Sequence, residues 1–101
     1  MNPHLNVDED TLARFCNQHR IGRLALFGSV LKGVDRPDSD VDLLVEFKPE
    51  ANPSLFDMVT MEYELSTLLG GRRVDLRTPK DLSRYFRDEV MREAEVQFVS
   101  R

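Results

Sequence analysis

The sequence has no tryptophan, one cysteine, and no apolar run near the roughly 20 residues that a bilayer span requires. A membrane-spanning helix is therefore not expected. The lone Cys16 has no partner for an internal disulfide, which makes a reducing cytoplasm the expected compartment. Met1-Asn2-Pro3-His4-Leu5 offers neither the basic start nor the apolar core of a secretory leader. Positive charge is also scarce: 14 Lys and Arg face 18 Asp and Glu, a formal net charge of −4. That balance argues against a broad phosphate-neutralising surface, so free nucleic acid is not expected as a stable partner. What is present is 101 residues, 41% hydrophobic and 32% charged, without repeat, linker or low-complexity segment. These read as one domain over residues 1–101 with a single core.

The chain opens with a helical pattern from Asp8 to Arg20. Asp8 is placed to cap it, Glu9 and Asp10 suit its positive end, and Val7 with Leu12 fits a hydrophobic staple. Leu12, Phe15, Cys16 and His19 recur at helical spacing. Cys16 and His19 lie three apart with no further His or Cys nearby, so packing is expected rather than metal binding. Ile21 to Phe27 is a strand, apolar on both faces at Leu24-Ala25-Leu26-Phe27, as in a covered central strand. Gly28-Ser29 follows at once. Glycine lets backbone approach a ligand closely, and Ser29 can cap a short helix through Lys32 whose amides would favour an anion. Lys32 and Arg36 are candidate phosphate contacts, though each also suits a solvated surface.

Asp40-Val41-Asp42 heads the next apolar strand. Period-two alternation sends Asp40 and Asp42 to one face, and Val41, Leu43, Val45 and Phe47 to the other. Aspartate is a poor strand former, and adjacent carboxylates repel unless a cation lies between them. Mg²⁺, a hard cation, takes carboxylate oxygens. Taken alone, the pair also fits a solvated strand edge with an Asx turn at Asp38-Ser39.

Pro49 to Pro53 is a loop. Ser54 and Asp57 form a capping box for a long helix that buries Leu55, Met58, Met61, Leu65, Leu68 and Leu69 and stops at Gly70-Gly71. Arg72 to Arg77 is a further strand, with Val74 and Leu76 towards the core and Arg73, Asp75 and Arg77 on the other face. On this pattern Asp75 could simply pair with an arginine neighbour in the next strand or helix, a contact worth little at a surface. Thr78, Pro79 and Asp81 read as the start of one helix running to about Glu93, with a narrow stripe of Leu82, Tyr85, Phe86 and Val90. Val96 to Val99 is either a last strand or a segment packed on the sheet.

Gly28-Ser29, ten intervening residues, and Asp40-Val41-Asp42 between two apolar strands resemble the signature of the DNA polymerase β-like nucleotidyltransferases. The chain most resembles their minimal nucleotidyltransferases (MNT), the small partners of HEPN-domain proteins in prokaryotic toxin–antitoxin pairs. The resemblance covers nearly the whole chain. It implies an α/β (α+β) fold with a mixed sheet of about four strands, helices mainly on one face, and an open face bearing the site. It further implies that Asp40 and Asp42 hold the Mg²⁺ of a bound ATP. Asp75, in Val-Asp-Leu after the long helix, would complete a second metal position and help deprotonate the attacking hydroxyl. Gly28 and Ser29 would hold the β and γ phosphates. Many relatives read Gly-Ser-Arg-Ala-Arg-Gly where this chain has Gly28-Ser29-Val30-Leu31-Lys32-Gly33, so the basic position survives only as Lys32, a point charge rather than a fork.

The implied reaction is transfer of AMP from ATP with loss of pyrophosphate. A chain of this length has no room for an acceptor-holding domain, so the acceptor is expected from a partner or a second copy. The resemblance names a HEPN ribonuclease toxin, neutralised by adenylylation of a tyrosine as in type VII toxin–antitoxin pairs. The alternatives are neutralisation by complex formation alone, or transfer to a small hydroxylated molecule such as an aminoglycoside. Tyr85 and Phe86 are candidate interface residues, with core packing as the competing role.

Overall fold

The computed structural model describes residues 7–28 and 40–100. Its elements run α1 (Glu9–Gln18), β1 (Ile21–Phe27), β2 (Val41–Phe47), α2 (Leu55–Leu68), β3 (Val74–Arg77), a 3-10 turn (Pro79–Asp81), α3 (Arg84–Glu93) and β4 (Glu95–Val99). The four strands form one mixed sheet in the order β3-β2-β1-β4. β1 pairs antiparallel with both β2 and β4, while β2 and β3 run parallel. The mixed sheet of about four strands is thus borne out, and the C-terminal apolar segment is its fourth strand.

Local chemistry explains most boundaries. The Asp8 carboxylate accepts from the Thr11 amide and caps α1, while Val7 and Leu12 are both buried beside it. α1 ends two residues earlier than the expected Arg20, because Arg20 takes a positive φ of 56°. Ser54 and Asp57 make the reciprocal capping box of α2. That helix ends where Gly70 and Gly71 turn to φ of 75° and 91°, the Gly71 amide donating back to the Ser66 carbonyl.

One apolar layer lies between the sheet and α1 and α2. Leu12, Phe15 and Cys16 of α1 and Met61 and Leu65 of α2 meet Ile21, Leu24 and Leu26 of β1, Val41, Leu43 and Val45 of β2, and Val74 and Leu76 of β3. Cys16 is fully enclosed, and burial pushes its thiol pKa up to about 12, so it serves as a small apolar side chain. His19 is anchored by a 2.7 Å contact from Nε2 to Glu64 of α2. Burial accounts for Cys16, and the contact with Glu64 accounts for the placement of His19.

Three expectations need correction. Leu55 is 83% exposed rather than buried, because it lies in the first turn of α2, one turn ahead of the half-buried Met58. β3 begins at Val74, not Arg72. The segment after Thr78 is not one helix: Leu82 is extended at ψ 143°, and α3 begins afresh with its own cap, the Ser83 hydroxyl accepting from the Tyr85 amide. Arg87 ties the two pieces together by donating to the carbonyls of Pro79 and Leu82. α3 contributes no buried side chain, so Tyr85 and Phe86 stand in solvent rather than in the core.

Candidate active site

The sheet face turned away from α1 and α2 carries the carboxylates. Parallel pairing of β2 and β3 sets Asp42 directly beside Asp75, and antiparallel pairing of β1 and β2 sets Phe27 on the other side of Asp42. Asp40 immediately precedes β2 and is exposed, while Asp42 and Asp75 are half-buried. One step further along the strands, Ala25, Leu44 and Arg77 form the next row on this face. The face is not bare, since Ala25 and Leu44 are almost fully buried.

Gly28 closes the row. Its φ of 84° belongs to the left-handed region, and the Asp42 side chain fills the place where a Cβ would stand, with Cγ at 3.0 Å. A side chain here would overlap the Asp42 carboxylate itself. Glycine at the end of β1 thus lets the Asp42 carboxylate keep its place beside the turn.

The electrostatics follow from this crowding. Burial, then the Asp75 charge, then the Asp40 charge raise the Asp42 carboxyl above its ordinary pKa, while Arg77 opposes them. Arg77 Nε donates to Asp75 Oδ2 at 3.1 Å, and this bond with its charge raises the arginine pKa in turn. Among the described residues no three His, Cys, Asp or Glu side chains converge closely enough to hold a metal ion as they stand. The donor chemistry nevertheless suits Mg²⁺: hard carboxylate oxygens from two adjacent strands, with a repulsion on Asp42 that a divalent cation would relieve. Of the two Asp75 oxygens, Oδ2 accepts from Arg77.

Asp40, Asp42, Asp75 and Gly28 are thus brought to one face. Ser29, Lys32 and Arg36, together with the short helix expected through Lys32, lie outside the described residues. What the sequence reading missed is the partner of Asp75. An arginine from the next strand or helix was the expected alternative, yet the cation is Arg77, two residues along the same strand. Period-two alternation already put both on one face; only the ion pair needed coordinates.

The nucleotidyltransferase domain family model matches residues 9–97. The chain belongs to that family. Protein adenylyltransferase MntA of Thermococcus cleftensis is 40% identical over 73 residues, covering 72% of this chain and 71% of that protein. A solved structure assigned to a minimal nucleotidyltransferase is 38% identical, with a TM-score of 0.65, and covers 88% of this chain and 95% of the other. A chain from a toxin–antitoxin crystal structure with AMP-PNP shares the fold at a TM-score of 0.73 and 18% identity, covering 94% of this chain and 76% of that one. The fold is the polymerase β-like nucleotidyltransferase fold, and the chain is a nucleotidyltransferase of the minimal type. No helix among the described residues is long and apolar enough to cross a membrane.

Proposed function

We propose that this nucleotidyltransferase is an antitoxin that moves AMP from ATP to a tyrosine hydroxyl of a HEPN ribonuclease toxin, with Mg²⁺ at two positions. The observation that carries the reading is the row of Asp42 and Asp75 in register on one sheet face, with Asp40 at its end. Mg²⁺ bound there would neutralise the triphosphate and polarise the reacting phosphorus. Asp40, just ahead of β2, and Asp42 on it would hold it, and Asp75 would complete the second position from β3.

In the transfer, the acceptor oxygen bonds to the α-phosphorus and the bond from that phosphorus to the bridging α,β oxygen breaks. The electron pair leaves with pyrophosphate, and the hydroxyl proton passes to the Asp75 carboxylate. Gly28 lets the turn approach the phosphates while leaving room for Asp42, and Ser29, Lys32 and Arg36 supply the remaining phosphate contacts.

Two features support a protein acceptor. The relative from Thermococcus cleftensis is a protein adenylyltransferase. Large apolar side chains also stand in solvent: Leu55, Phe56, Val59 and Tyr63 on α2, and Tyr85 and Phe86 on α3. The four on α2 recur within one side of that helix, and exposed apolar surface is commonly buried by a protein partner.

The test incubates the purified chain with α-labelled ATP, Mg²⁺ and the protein encoded beside it, next to an Asp40→Ala/Asp42→Ala control. Label on the neighbour that vanishes with the control is the expected outcome. A stable complex that forms equally with the control, with no label in either, would overturn catalysis and leave neutralisation by binding. Label on aminoglycosides alone would move the acceptor to a small molecule.

A further inference from the structure

We propose that Arg77 is a built-in counter-ion of the carboxylate row, holding Asp75 in the metal-free protein and competing with a divalent cation for it. The inference rests on the metal-site reading above. Asp75 and Arg77 are two residues apart on one strand, so their side chains leave the same face, about 7 Å apart along it. The arginine reaches back and donates through Nε to Asp75 Oδ2 at 3.1 Å. Charge-assisted hydrogen bonds of this type are the stronger class. The same guanidinium also acts on Asp42, the neighbour of Asp75 across the parallel pairing.

Arg77 thus partly supplies what a metal would supply: positive charge beside Asp42 and Asp75. The two cations cannot fully share one carboxylate. A divalent ion drawing on both Asp75 oxygens displaces the guanidinium, and one drawing on a single oxygen sits within its repulsion. Either way Arg77 lowers the affinity of the second metal position and makes its filling depend on release of an ion pair. Arg77 is a positioning residue in this scheme, acting through Asp75 and touching no reacting atom.

The test measures Mn²⁺ binding by electron paramagnetic resonance in the presence of a non-hydrolysable ATP analogue. It uses the parent protein, Arg77→Gln and Arg77→Lys, with thermal midpoints recorded metal-free. Arg77→Gln is expected to bind the weaker Mn²⁺ about tenfold tighter, the factor that about 1.4 kcal/mol represents. Arg77→Lys, which keeps the charge, is expected to stay near the parent. Unchanged or weaker binding in a folded Arg77→Gln would overturn the proposal and leave an ordinary surface ion pair. Absence of saturable Mn²⁺ binding in the parent would instead overturn the metal reading itself, and the proposal with it.

Discussion

The two faces of the sheet are built from the same strands to opposite ends. On the covered face, alternate residues of β1 and β2 are Leu24, Leu26, Val41, Leu43 and Val45, all packed against α1 and α2. On the other face the intervening positions include Arg23, Phe27, Asp42 and Glu46, joined by Asp75 and Arg77 of β3. The first face gains stability from every atom it buries. The second holds like charges in register, which burial and mutual repulsion penalise. The contrast separates residues that burial explains from the carboxylates on which the proposed chemistry rests.

That contrast can be broken first on its stable side. Leu26→Ala or Leu43→Ala removes a fully buried side chain from the covered face. Each is expected to cost about 3 kcal/mol, read as a fall in the denaturation midpoint, with any transfer activity that survives unfolding left near normal. The opposite pattern is expected at Gly28→Ala. The new methyl overlaps Asp42 and sits at a φ of 84°, so Asp42 is displaced. Displacement on the order of 1 Å at a reacting site costs roughly 100-fold in rate. Labelled-AMP transfer should drop by about that factor while the fold persists; near-parental transfer would show that Asp42 need not stay where it is.

A smaller effect, of unusual sign, is expected at Asp42→Asn. Folding raises the Asp42 pKa, so its contribution is most favourable below the ordinary carboxylate range and is lost as pH rises through the raised folded value. The amide resembles the protonated acid. It should stabilise the metal-free protein at neutral pH by about 1 kcal/mol or less, since the site is partly screened by solvent. Transfer activity should be lost in the same variant, and the difference in stability between variant and parent should shrink as pH falls. The smallest effect on stability belongs to the exposed stripe of α2. Phe56→Ser, at 85% exposure, should change stability by about 0.5 kcal/mol or less and yet weaken any complex with the partner, as measured by calorimetry.

Much of this arrangement was legible in the chain itself. Apolar alternation placed β1 and β2 and sorted their faces, because a one-residue slip would turn every core side chain outward. Caps at Asp8 and Ser54 and the glycine pair at Gly70 and Gly71 set helix limits through hydrogen bonds made within a few residues. The spacing from Gly28 to Asp40 and Asp42, with Asp75 downstream, led to the family and to the candidate site. Where the reading failed, the missing information was not local. The caps at Thr78 and Ser83 both look like helix starts, and only the extended Leu82 and the reach of Arg87 show that the chain breaks between them. Whether Leu55, Tyr85 and Phe86 face core or solvent depends on how far neighbouring elements extend, which no periodicity records.

The sequence by itself determined the apolar pattern, the caps, the chemical kind of the site residues and the family, because each rests on residue type and short spacing. Tertiary structure alone decided that β2 and β3 run parallel in a register that sets Asp42 beside Asp75. It also decided that Asp42 fills the space a side chain at position 28 would take, and that Arg77 bonds to Asp75. Those are contacts between strands or choices among rotamers, settled only when the sheet assembles and the surrounding charges and volumes compete for the same few ångströms.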